Sequence, residues 1–408
     1  MSKLEELIKE FCPNGVEYKP LWSLTAWDKR FNGIDRSMQK KVVSYKYYLS
    51  SEFNEVERKD GDILYIPTGI TNEKRYTTEE LAGEYLAEGE IVCIPWGGTP
   101  NVKYHKGKFV TGDNRIATSL DTNILNNKYL YYWMQSKIDL IASFYRGAGI
   151  QHPSMKSVLE LQIPLPALPV QREIVRILDS FTLYSNELTA ELTARRKQYE
   201  FYRDKLLTFS QNDFEWTILE KIAVYTNGKG HENNVNEKGK YILINSKFVS
   251  TKGEVIKFVD EQFSPIYQNE FAMVLSDLPN GRALAKCFFV LEDDRYTVNQ
   301  RICKISNINE KILPKFLFYY MDRNKYFLAK DNGVDQTNLS KDYVLQMPIP
   351  VLPLAFQKRI VYVLDNFDAI CFDLRIGLPA EIEKRQKQYE YYRDKLLTFE
   401  EKNNNGEK

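Results

Sequence analysis

The chain of 408 residues repeats itself, and this repeat constrains its fold more than any other feature. The segment KQYEFYRDKLLTF at 197–209 returns as KQYEYYRDKLLTF at 387–399, with one Phe-to-Tyr difference. A weaker match aligns QIPLPALPVQREIVRILDSF at 162–181 with QMPIPVLPLAFQKRIVYVLDNF at 346–367 if two residues are added to the second copy after its Leu-Pro. Repetition of this length predicts two copies of one unit, each a domain followed by a helix.

Each copy contains a long helix with coiled-coil periodicity. Apolar residues recur at alternating steps of three and four, which is the spacing of a heptad seam. A helix of about 40 residues is about 60 Å long, longer than a small core can cover, so we expect the two helices to pack on each other. The predicted seam comprises Ile174, Leu178, Phe181, Leu188, Tyr199, Tyr202 and Leu206 in the first helix, and Ile360, Leu364, Phe367, Tyr389, Tyr392 and Leu396 in the second.

The second helix differs from the first by about one turn. From Phe367 to Phe399 it is four residues longer than the first copy from Phe181 to Phe209. Pro379 lies in the extra turn, and a proline inside a helix removes a hydrogen bond and clashes with the preceding turn. The sequence therefore predicts a kink or break near 377–380.

Proline-rich connectors at 164–169 and 348–353 separate the helices from two globular segments, and we expect them to be extended and without regular hydrogen bonding. Both segments combine strand-like runs, such as GDILYIP, GEIVCIP, KYILINS and EFAMVLS, with one helix-like run each, NKYLYYWMQSKIDLIASF and ILPKFLFYYMDRNKYFLA. The prediction is an α+β fold with two tandem mixed α/β domains separated by two long helices in an antiparallel coiled coil, with pseudo-twofold symmetry. The predicted bounds are 1–168 and 210–353 for the domains, 169–209 and 354–400 for the helices, and 401–408 for a disordered tail.

Composition and motifs exclude several classes of function. The net charge of +1 provides no global field to attract nucleic acid, so any attraction must be local or come from partners. The sequence shows neither a long apolar run nor a leader, so we expect a soluble cytoplasmic protein. It lacks a phosphate-binding G-x-x-x-x-G-K-[ST] loop, a G-x-G-x-x-G turn and an N-P-P-Y type turn, so we predict no catalysis on this chain. The five cysteines form no C-x-x-C pair, and the histidines lack ligand spacing, so we expect no metal site.

The loops differ more between the two copies than the strands and helices do. Two recognition modules with different targets would show this pattern, because bases are read by side chains on loops or helix tips, although drift after duplication explains it almost as well. Cations interleaved with aromatic residues are typical of nucleic-acid contacts, while a single exposed Lys or Arg in a loop is in most proteins a solvated surface charge. The candidate DNA-binding residues are Lys74, Arg75, Tyr76, Lys103, Tyr104, His105, Lys106 and Arg115 in the first domain, and Lys229, His231, Asn280, Arg282 and Arg301 in the second.

The ordered set of motifs resembles the specificity subunit of Type I restriction-modification systems. The resemblance rests on the two Pro-rich junctions followed by Q-[RK], the paired KQYE[FY]YRDKLLTF segments and the opening LEELIKEFCPNGVEYKPL, and it covers almost the whole chain. It implies two target recognition domains that each read half of a bipartite double-stranded DNA target, with the helix pair setting the gap. It also implies a non-catalytic subunit that joins two methyltransferase (M) subunits and two restriction-translocation (R) subunits, which would bind S-adenosylmethionine, ATP and Mg²⁺.

Two other interpretations stay open at this stage. A coiled-coil adaptor could hold two protein-binding domains without reading DNA, and acidic loop faces would favour it. A specificity chain could also serve a methyltransferase-only or single-protein restriction-methylation system.

Overall fold

The computed structural model describes residues 2–71, 73–210, 212, 214–279, 281–373 and 375–402. The chain divides into two compact units, one formed by Met1–Glu187 with Glu383–Lys408 (unit 1) and one by Leu188–Ile382 (unit 2). This division differs from the predicted linear series of domain, helix, domain and helix. Each unit takes one domain and part of both long helices, because helices of this length extend beyond the core of a single domain.

Unit 1 contains the predicted mixed domain. The runs GDILYIP and GEIVCIP form strands β3 and β5 of a sheet in the order β2-β7-β5-β6-β3-β4, and the predicted helical run forms α5 and α6. The side chains of Trp27, Tyr129 and Trp133 fill its core. The elements are α1 (Lys3–Phe11), β1 (Glu17–Pro20), α2 (Leu21–Leu24), β2 (Thr25–Trp27), α3 (Ser50–Val56), β3 (Ile63–Ile66), β4 (Arg75–Thr77), α4 (Glu79–Ala82), β5 (Ala87–Pro95), β6 (Lys103–Thr111), β7 (Asn114–Ser119), α5 (Asn127–Ser136), α6 (Ile138–Ala142), β8 (Tyr145–Arg146), β9 (His152–Pro153), α7 (Met155–Leu159), β10 (Gln162–Leu165) and the first half of α8 (Leu168–Leu206).

Unit 2 has the same style with shorter strands. Its main sheets run in the orders β12-β20-β16-β18 and β14-β13-β19-β15, and the predicted strands KYILINS and EFAMVLS are β13 and β16. The elements after α8 are β11 (Glu215–Ile218), β12 (Ala223–Asn227), β13 (Tyr241–Ile244), α9 (Ser246–Ser250), β14 (Phe258–Val259), β15 (Pro265–Ile266), β16 (Phe271–Val274), β17 (Ser276–Asp277), β18 (Cys287–Phe289), β19 (Tyr296–Val298), β20 (Ile302–Asn307), α10 (Pro314–Met321), α11 (Lys325–Leu328), β21 (Thr337–Asn338), α12 (Lys341–Leu345), β22 (Pro348–Val351), α13 (Leu354–Phe372) and α14 (Leu378–Leu396), of which the last part of α14 belongs to unit 1.

In unit 1 the first half of α8 packs against α14 in antiparallel orientation. The ring of Phe181 lies 5.6 Å from that of Tyr392 and 6.5 Å from that of Tyr389. Further along α8, Tyr184 lies 5.3 Å from the guanidinium of Arg385, which comes earlier in α14. The contacts therefore move toward the C-terminus of α8 as they move toward the N-terminus of α14. Ile174 and Leu178 are completely buried in the core of the same unit.

In unit 2 the second half of α8 packs in the same way against α13. The ring of Tyr202 lies 5.8 Å from that of Phe367, while Tyr199, one turn earlier, lies 5.5 Å from Phe372. Ile360 and Leu364 are buried in the core of this unit. Leu188 is buried, and Leu206 of unit 2 and Leu396 of unit 1 are partly buried against the cores of their units.

The second long helix is interrupted between Phe372 and Leu378, next to the predicted break at 377–380. The Asp373 carboxylate accepts hydrogen bonds from two backbone N–H groups, those of Arg375 (2.7 Å) and Ile376 (3.3 Å). These bonds lower the pKa of Asp373. A Cβ on Gly377 would lie 2.4 Å from the carbonyl oxygen of Ala369, so only glycine fits this turn without a shift of the backbone.

The proline connectors are strands, which corrects the expectation of irregular structure. β10 pairs antiparallel with β1, and β22 pairs antiparallel with β11. Each pair is two-stranded, and prolines are tolerated in such edge strands where their missing N–H is not needed. Pro164 faces Tyr18 in one pair, and Pro350 faces Trp216 in the other.

The strand register also corrects the alignment of the two copies. With Pro164 equivalent to Pro350, the helix starts Leu168 and Leu354 are equivalent without any added residue. The similar strings QIPLPALP and QMPIPVLP are thus two residues out of structural register, because each contains two prolines that are two residues apart, at 164 and 166 and at 348 and 350.

The tail was predicted to be disordered from residue 401, but residues 401 and 402 pair with Val16, so that boundary is too early. Glu401 forms a parallel bridge with Val16, and the Lys402 N–H donates to the carbonyl oxygen of Val16 (2.9 Å). The rest of the tail, 403–408, lies outside the described residues. Among the residues that are described, no helix is long and apolar enough to cross a membrane.

Candidate nucleic-acid interface

Loops that carry three of the predicted cations leave unit 2 at one end of the sheet β12-β20-β16-β18. Asn227 at the end of β12 faces Cys303 near the start of β20, and Ile302 faces Val274 at the end of β16. The loop after β12 contains Lys229, the turn before β20 contains Arg301 and the loop after β16 and β17 contains Arg282. All three side chains are exposed.

Backbone hydrogen bonds hold these loops together. The Lys229 N–H donates to the Val298 carbonyl oxygen (3.1 Å), and the Leu275 N–H donates to the Arg301 carbonyl oxygen (2.9 Å). Arg301 has a φ of 66°, in the left-handed region that favours glycine. In the described part of unit 2, none of the three cationic side chains is in an ion pair, so their charge is available to a ligand.

The loop of Arg282 is braced from inside by a carboxylate. Asp277 accepts hydrogen bonds from the N–H groups of Leu278 (2.9 Å), Ala283 (2.6 Å) and Leu284 (3.1 Å). The predicted residue Asn280 belongs to this loop but lies outside the described residues.

His231 is buried, which contradicts its prediction as a DNA-facing residue. Its Nδ1 lies 2.7 Å from the Lys229 carbonyl oxygen and therefore donates to it. Its Nε2 then accepts from the Phe263 N–H (3.3 Å), and the Thr297 hydroxyl lies 3.0 Å away. This neutral ring fixes the loop that presents Lys229, so its role is structural.

In unit 1 more of the predicted cations form hydrogen bonds or ion pairs within the protein. Lys103 donates to the carbonyl oxygens of Pro67 (2.7 Å) and Thr68 (3.0 Å), and its partial burial lowers its pKa. Lys103 therefore fixes Pro67 and Thr68, and Lys74, later in the chain, is exposed. Asn101, which no sequence pattern marks as a candidate, donates to the same Thr68 carbonyl oxygen (3.0 Å).

Arg115 is a core residue, which contradicts its prediction as a DNA contact. Its side chain is 1% exposed, and its guanidinium lies 2.8 Å from Asp28, pairs with Asp113 and lies 4.8 Å from the ring centre of Trp96. Because the guanidinium is buried, a base or phosphate cannot reach it. The segment D-N-R-I-A at 113–117 therefore contains a buried ion pair.

Arg75 is also committed to partners within the protein. Its guanidinium forms two hydrogen bonds with Glu57 (2.9 and 2.6 Å) and one with Asn54 (2.6 Å), and its cation lies 4.8 Å above the ring of Phe53. The hydrogen bonds raise the pKa of Arg75 and lower that of Glu57. Arg75 thus positions its neighbour Lys74 and offers little charge to a ligand.

The remaining predicted residues of unit 1 lie on β4 and β6. Tyr104 donates to Glu90 (2.8 Å), and Lys106 lies 3.5 Å from the same carboxylate, so Glu90 offsets the charge of Lys106. His105 lies 3.0 Å from the carbonyl oxygen of Lys108. Tyr76 is half-buried on β4.

One repeated loop escaped the sequence analysis. The loops 146–151 and 331–336 precede β9 and β21, and each exposes an apolar residue, Ile150 (70% exposed) and Val334 (75%). The first loop accepts a hydrogen bond through the Gln151 carbonyl oxygen from the Gly98 N–H (3.2 Å). The signal was the glycines in RGAGI and DNGVD, which interrupt the apolar pattern shortly before β9 and β21.

The framework beneath these loops repeats between the units. Tyr132 donates to Asp179 (2.6 Å) in unit 1, as Tyr319 does to Asp365 (2.6 Å) in unit 2. Each aspartate also pairs with a lysine, Lys128 (2.8 Å) or Lys315 (2.9 Å), and burial raises the pKa of both tyrosines. The two units therefore share the same Tyr–Asp–Lys contacts between domain and helix, whereas their loops differ.

The residues described contain no group of three or more His, Cys, Asp or Glu side chains that could hold a metal ion. All five cysteines are free thiols, four of them buried and Cys287 half-buried. Burial raises the pKa of Cys93 to about 12, which removes it as a nucleophile at neutral pH.

The chain has two repeated domains whose loops carry different cationic residues, and each domain is supported by an antiparallel helix pair. These features define a class of recognition subunits with two recognition domains in one chain. The family model for the Type I restriction modification DNA specificity domain matches residues 43–195 and 210–384. The chain therefore belongs to the family of Type I restriction-modification specificity subunits, whose role is sequence specificity and not catalysis. The alternative of an adaptor without DNA readout is not favoured.

Individual relatives agree with this assignment. The chain is 33% identical over 372 residues to the Type I restriction enzyme EcoR124I/EcoR124II specificity subunit of Escherichia coli, covering 84% of this chain and 90% of the relative. It is 26% identical over 330 residues to a putative type I restriction enzyme specificity subunit of Haemophilus influenzae, covering 77% and 84%. Its fold is similar to the crystal structure of a Type I restriction-modification S subunit from M. genitalium, with a TM-score of 0.56, 17% identity and coverage of 94% and 95%.

Proposed function

We propose that this chain reads a bipartite double-stranded DNA target, with one half-target read by the loop edge of each unit. The observation that carries the proposal is the combination of repeated support and divergent loops. In unit 2 the readers are Lys229, Arg282 and Arg301. They lie in loops at one end of a sheet, and their side chains are in no ion pair within the described part of the unit. In unit 1 the readers are Lys74 and the loop at 146–151. Lys103 holds Pro67 and Thr68, which precede Lys74 in the chain, in place.

The decisive measurement is a map of modified bases in host DNA with this chain present and with it deleted, while the methyltransferase partner stays intact. We expect a split motif whose methylation disappears on deletion. An unchanged map would refute the proposal.

The role of the unit 2 edge is tested by the double variant Arg282→Ala with Arg301→Gly. Glycine removes the guanidinium and relieves the left-handed backbone at this position, so lost methylation cannot be ascribed to unfolding. We expect weaker methylation of the whole motif and a salt dependence of DNA binding that is shallower by about one unit for each lost phosphate contact. Lys221→Ala is the matched control, because this exposed lysine precedes the opposite end of β12. Equal loss in the control would contradict the assignment.

We further propose that the chain acts in the cytoplasm in a complex with two M and two R subunits, which bind S-adenosylmethionine, ATP and Mg²⁺. The near-neutral net charge supports weak DNA binding by the isolated chain and tight binding only in the complex. Native mass spectrometry of the assembled complex gives the subunit ratio. Nanomolar, sequence-selective binding by the isolated chain at physiological salt would contradict this part of the proposal.

A further inference from the structure

A cleft of about 300 Å³ lies in unit 2 beside the interruption of the second long helix, and Phe372 and Pro379 line it on the two sides of that interruption. Three cations from separate segments line the same cleft: Arg196 on α8, Lys252 in the turn after α9 and Lys286 immediately before β18. Like charges that share a cleft repel each other, and an anion between them offsets this repulsion. The partners of each cation therefore indicate whether the cleft accepts an anion.

Two of the three cations have no carboxylate partner among the described residues. The Arg196 guanidinium donates to the Cys371 carbonyl oxygen at 3.5 Å. Lys286 donates to the Ser250 carbonyl oxygen (2.8 Å). Partial burial lowers the pKa of Lys286, and the Asp322 carboxylate offsets this only in part. The cleft thus contains positive charge that the described part of the protein does not neutralise.

Lys252, the third cation, has a carboxylate partner and shares an aromatic ring with Arg196. Its ammonium lies 2.8 Å from Asp368 and 3.3 Å from the ring centre of Phe372. The Arg196 guanidinium lies 5.2 Å from the same ring centre. Among the described residues that line the cleft, Glu254 is the one acidic residue. The three cations therefore exceed the carboxylates of Asp368 and Glu254 by one positive charge.

The cleft continues the row of cations at the end of the sheet β12-β20-β16-β18. The Val274 N–H, at the end of β16, donates to the Lys286 carbonyl oxygen (3.0 Å), so Lys286 lies at this end of the sheet. The loops of Lys229, Arg282 and Arg301 leave the same end. Because β18 follows Lys286 and is the edge strand of this sheet, Lys286 extends the row of cations to the sheet edge.

Arg196 and Phe372 are not repeated in unit 1. The repeated segment makes Gln386 the counterpart of Arg196, and the register of the helix starts makes Asn186 the counterpart of Phe372. Unit 1 therefore has neither the guanidinium nor the ring at these positions. The two residues are thus not part of the support that the units share, which leaves them available for a role in unit 2 alone.

We propose that this cleft binds a phosphate group, which the DNA backbone or a free phosphate compound supplies. A phosphate has several acceptor oxygens and a negative charge, so it can bridge the planar guanidinium of Arg196 and the ammonium groups of Lys252 and Lys286. The hydroxyl groups of Ser250 and Thr251, which also line the cleft, donate to backbone carbonyl oxygens of α9, so the three cations supply the donors. DNA as a source rests on the proposed function, whereas a free phosphate compound does not.

Acylation of lysines followed by mass spectrometry tests the cleft in the purified full chain. An amine reacts in its unprotonated form, and a bound phosphate favours the protonated form. With saturating inorganic phosphate, and with the ionic strength held constant by chloride, we expect Lys252 and Lys286 to react about tenfold more slowly. Lys247, which is exposed on α9, is the internal control and should keep its rate. An unchanged rate of either cleft lysine, or equal slowing of Lys247, would overturn the proposal.

Replacing Arg196 by the residue of the other copy gives a second readout. Arg196→Gln removes the guanidinium at an exposed position of α8, and glutamine is compatible with a helix, so the fold is kept. We expect the phosphate concentration that half-protects Lys252 and Lys286 to rise by about tenfold. Lys197→Gln is the matched control, because this exposed lysine is next to Arg196 and does not line the cleft. Equal rises in the two variants would refute the site.

Duplex DNA bound to the assembled complex distinguishes the two sources of the phosphate. If the DNA backbone supplies it, DNA slows acylation of Lys252 and Lys286 and removes the effect of inorganic phosphate. If a free compound supplies it, both lysines keep their rates on DNA binding and inorganic phosphate still slows them. The cleft alone is wrong if phosphate slows neither lysine while deletion of the chain still abolishes split-motif methylation. An unchanged methylation map with protected lysines refutes the proposed function and leaves the cleft standing.

Discussion

Two buried glutamines join each domain to the start of its long helix, and replacing them tests how the fold is held. In unit 1, Gln171 donates to the carbonyl oxygens of Pro166 (2.8 Å) and Ile124 (2.8 Å) and accepts from the Asn126 N–H (2.9 Å). In unit 2, Gln357 donates to Leu352 (2.8 Å) and Lys311 (2.7 Å) and accepts from Leu313 (2.8 Å). Both side chains are completely buried.

The substitutions Gln171→Leu and Gln357→Leu keep the size of the side chain and remove all three hydrogen bonds. One carbonyl oxygen in each unit, that of Pro166 or Leu352, is buried and stays without a partner, which costs about 1–3 kcal/mol. The other two partners are partly buried and can be hydrated, so the loss of each of these two hydrogen bonds lowers stability by about 0.5–1.5 kcal/mol. We expect each variant to lower the free energy of opening of its own unit by about 2–6 kcal/mol.

Amide hydrogen exchange followed by mass spectrometry separates the two units. A loss of about 3 kcal/mol speeds exchange by roughly a hundredfold, and it should do so around Asn126 in the first variant and around Leu313 in the second. Gln162→Leu is the control, because this exposed glutamine lies on β10 and should change stability by less than about 0.5 kcal/mol. A loss no larger than that of the control would refute the reasoning, as would faster exchange in the wrong unit.

Three further substitutions test other parts of the structure. Gly377→Ala should lower the urea midpoint by an amount equivalent to about 1–3 kcal/mol, whereas Gly69→Ala, which meets open space, should be neutral. Arg115→Met should cost about 3–5 kcal/mol in thermal unfolding because it leaves Asp28 buried without its cation, and retained stability would contradict a core role. The lowered pKa of Asp373 means that its ionised form stabilises the chain above about pH 4 and that this contribution is lost as the pH falls through the lowered pKa. Asp373→Asn should therefore show a flatter loss of stability in an acid titration, and an unchanged slope would refute this.

Local patterns in the sequence predict most of the fold. The heptads beginning at Ile174 and Ile360 depend only on neighbouring residues, and their first positions are buried in the two cores, whereas Tyr202 and Tyr392 further along are 38% and 37% exposed. Local similarity also misaligned the two junctions, because each has a pair of prolines two residues apart and one proline of the pair matches the other at a shift of two. The strand register around Pro164 and Pro350 resolves that shift, and register depends on contacts with a distant strand.

The candidate interface was less predictable, because residue type does not reveal exposure. Arg115 and Arg301 occupy similar motifs, N-R-I-A and Q-R-I-C, at the starts of β7 and β20. The first meets Asp28 across the sheet and is buried, while the second occupies a left-handed turn and is exposed. Only the fold brings Asp28 to one copy, so a cation selected by residue type alone can be a structural residue.

The separation of support from loops has a consequence for how specificity can change. The bonds that seat each domain on its helix come from Gln171 and Asp179 in unit 1 and from Gln357 and Asp365 in unit 2. The proposed reader loops, such as that of Arg282, are braced by other groups within the same domain, so substitutions in them leave the seating bonds intact. Under the proposed function, one half of the target can therefore change while the residues that read the other half stay as they were.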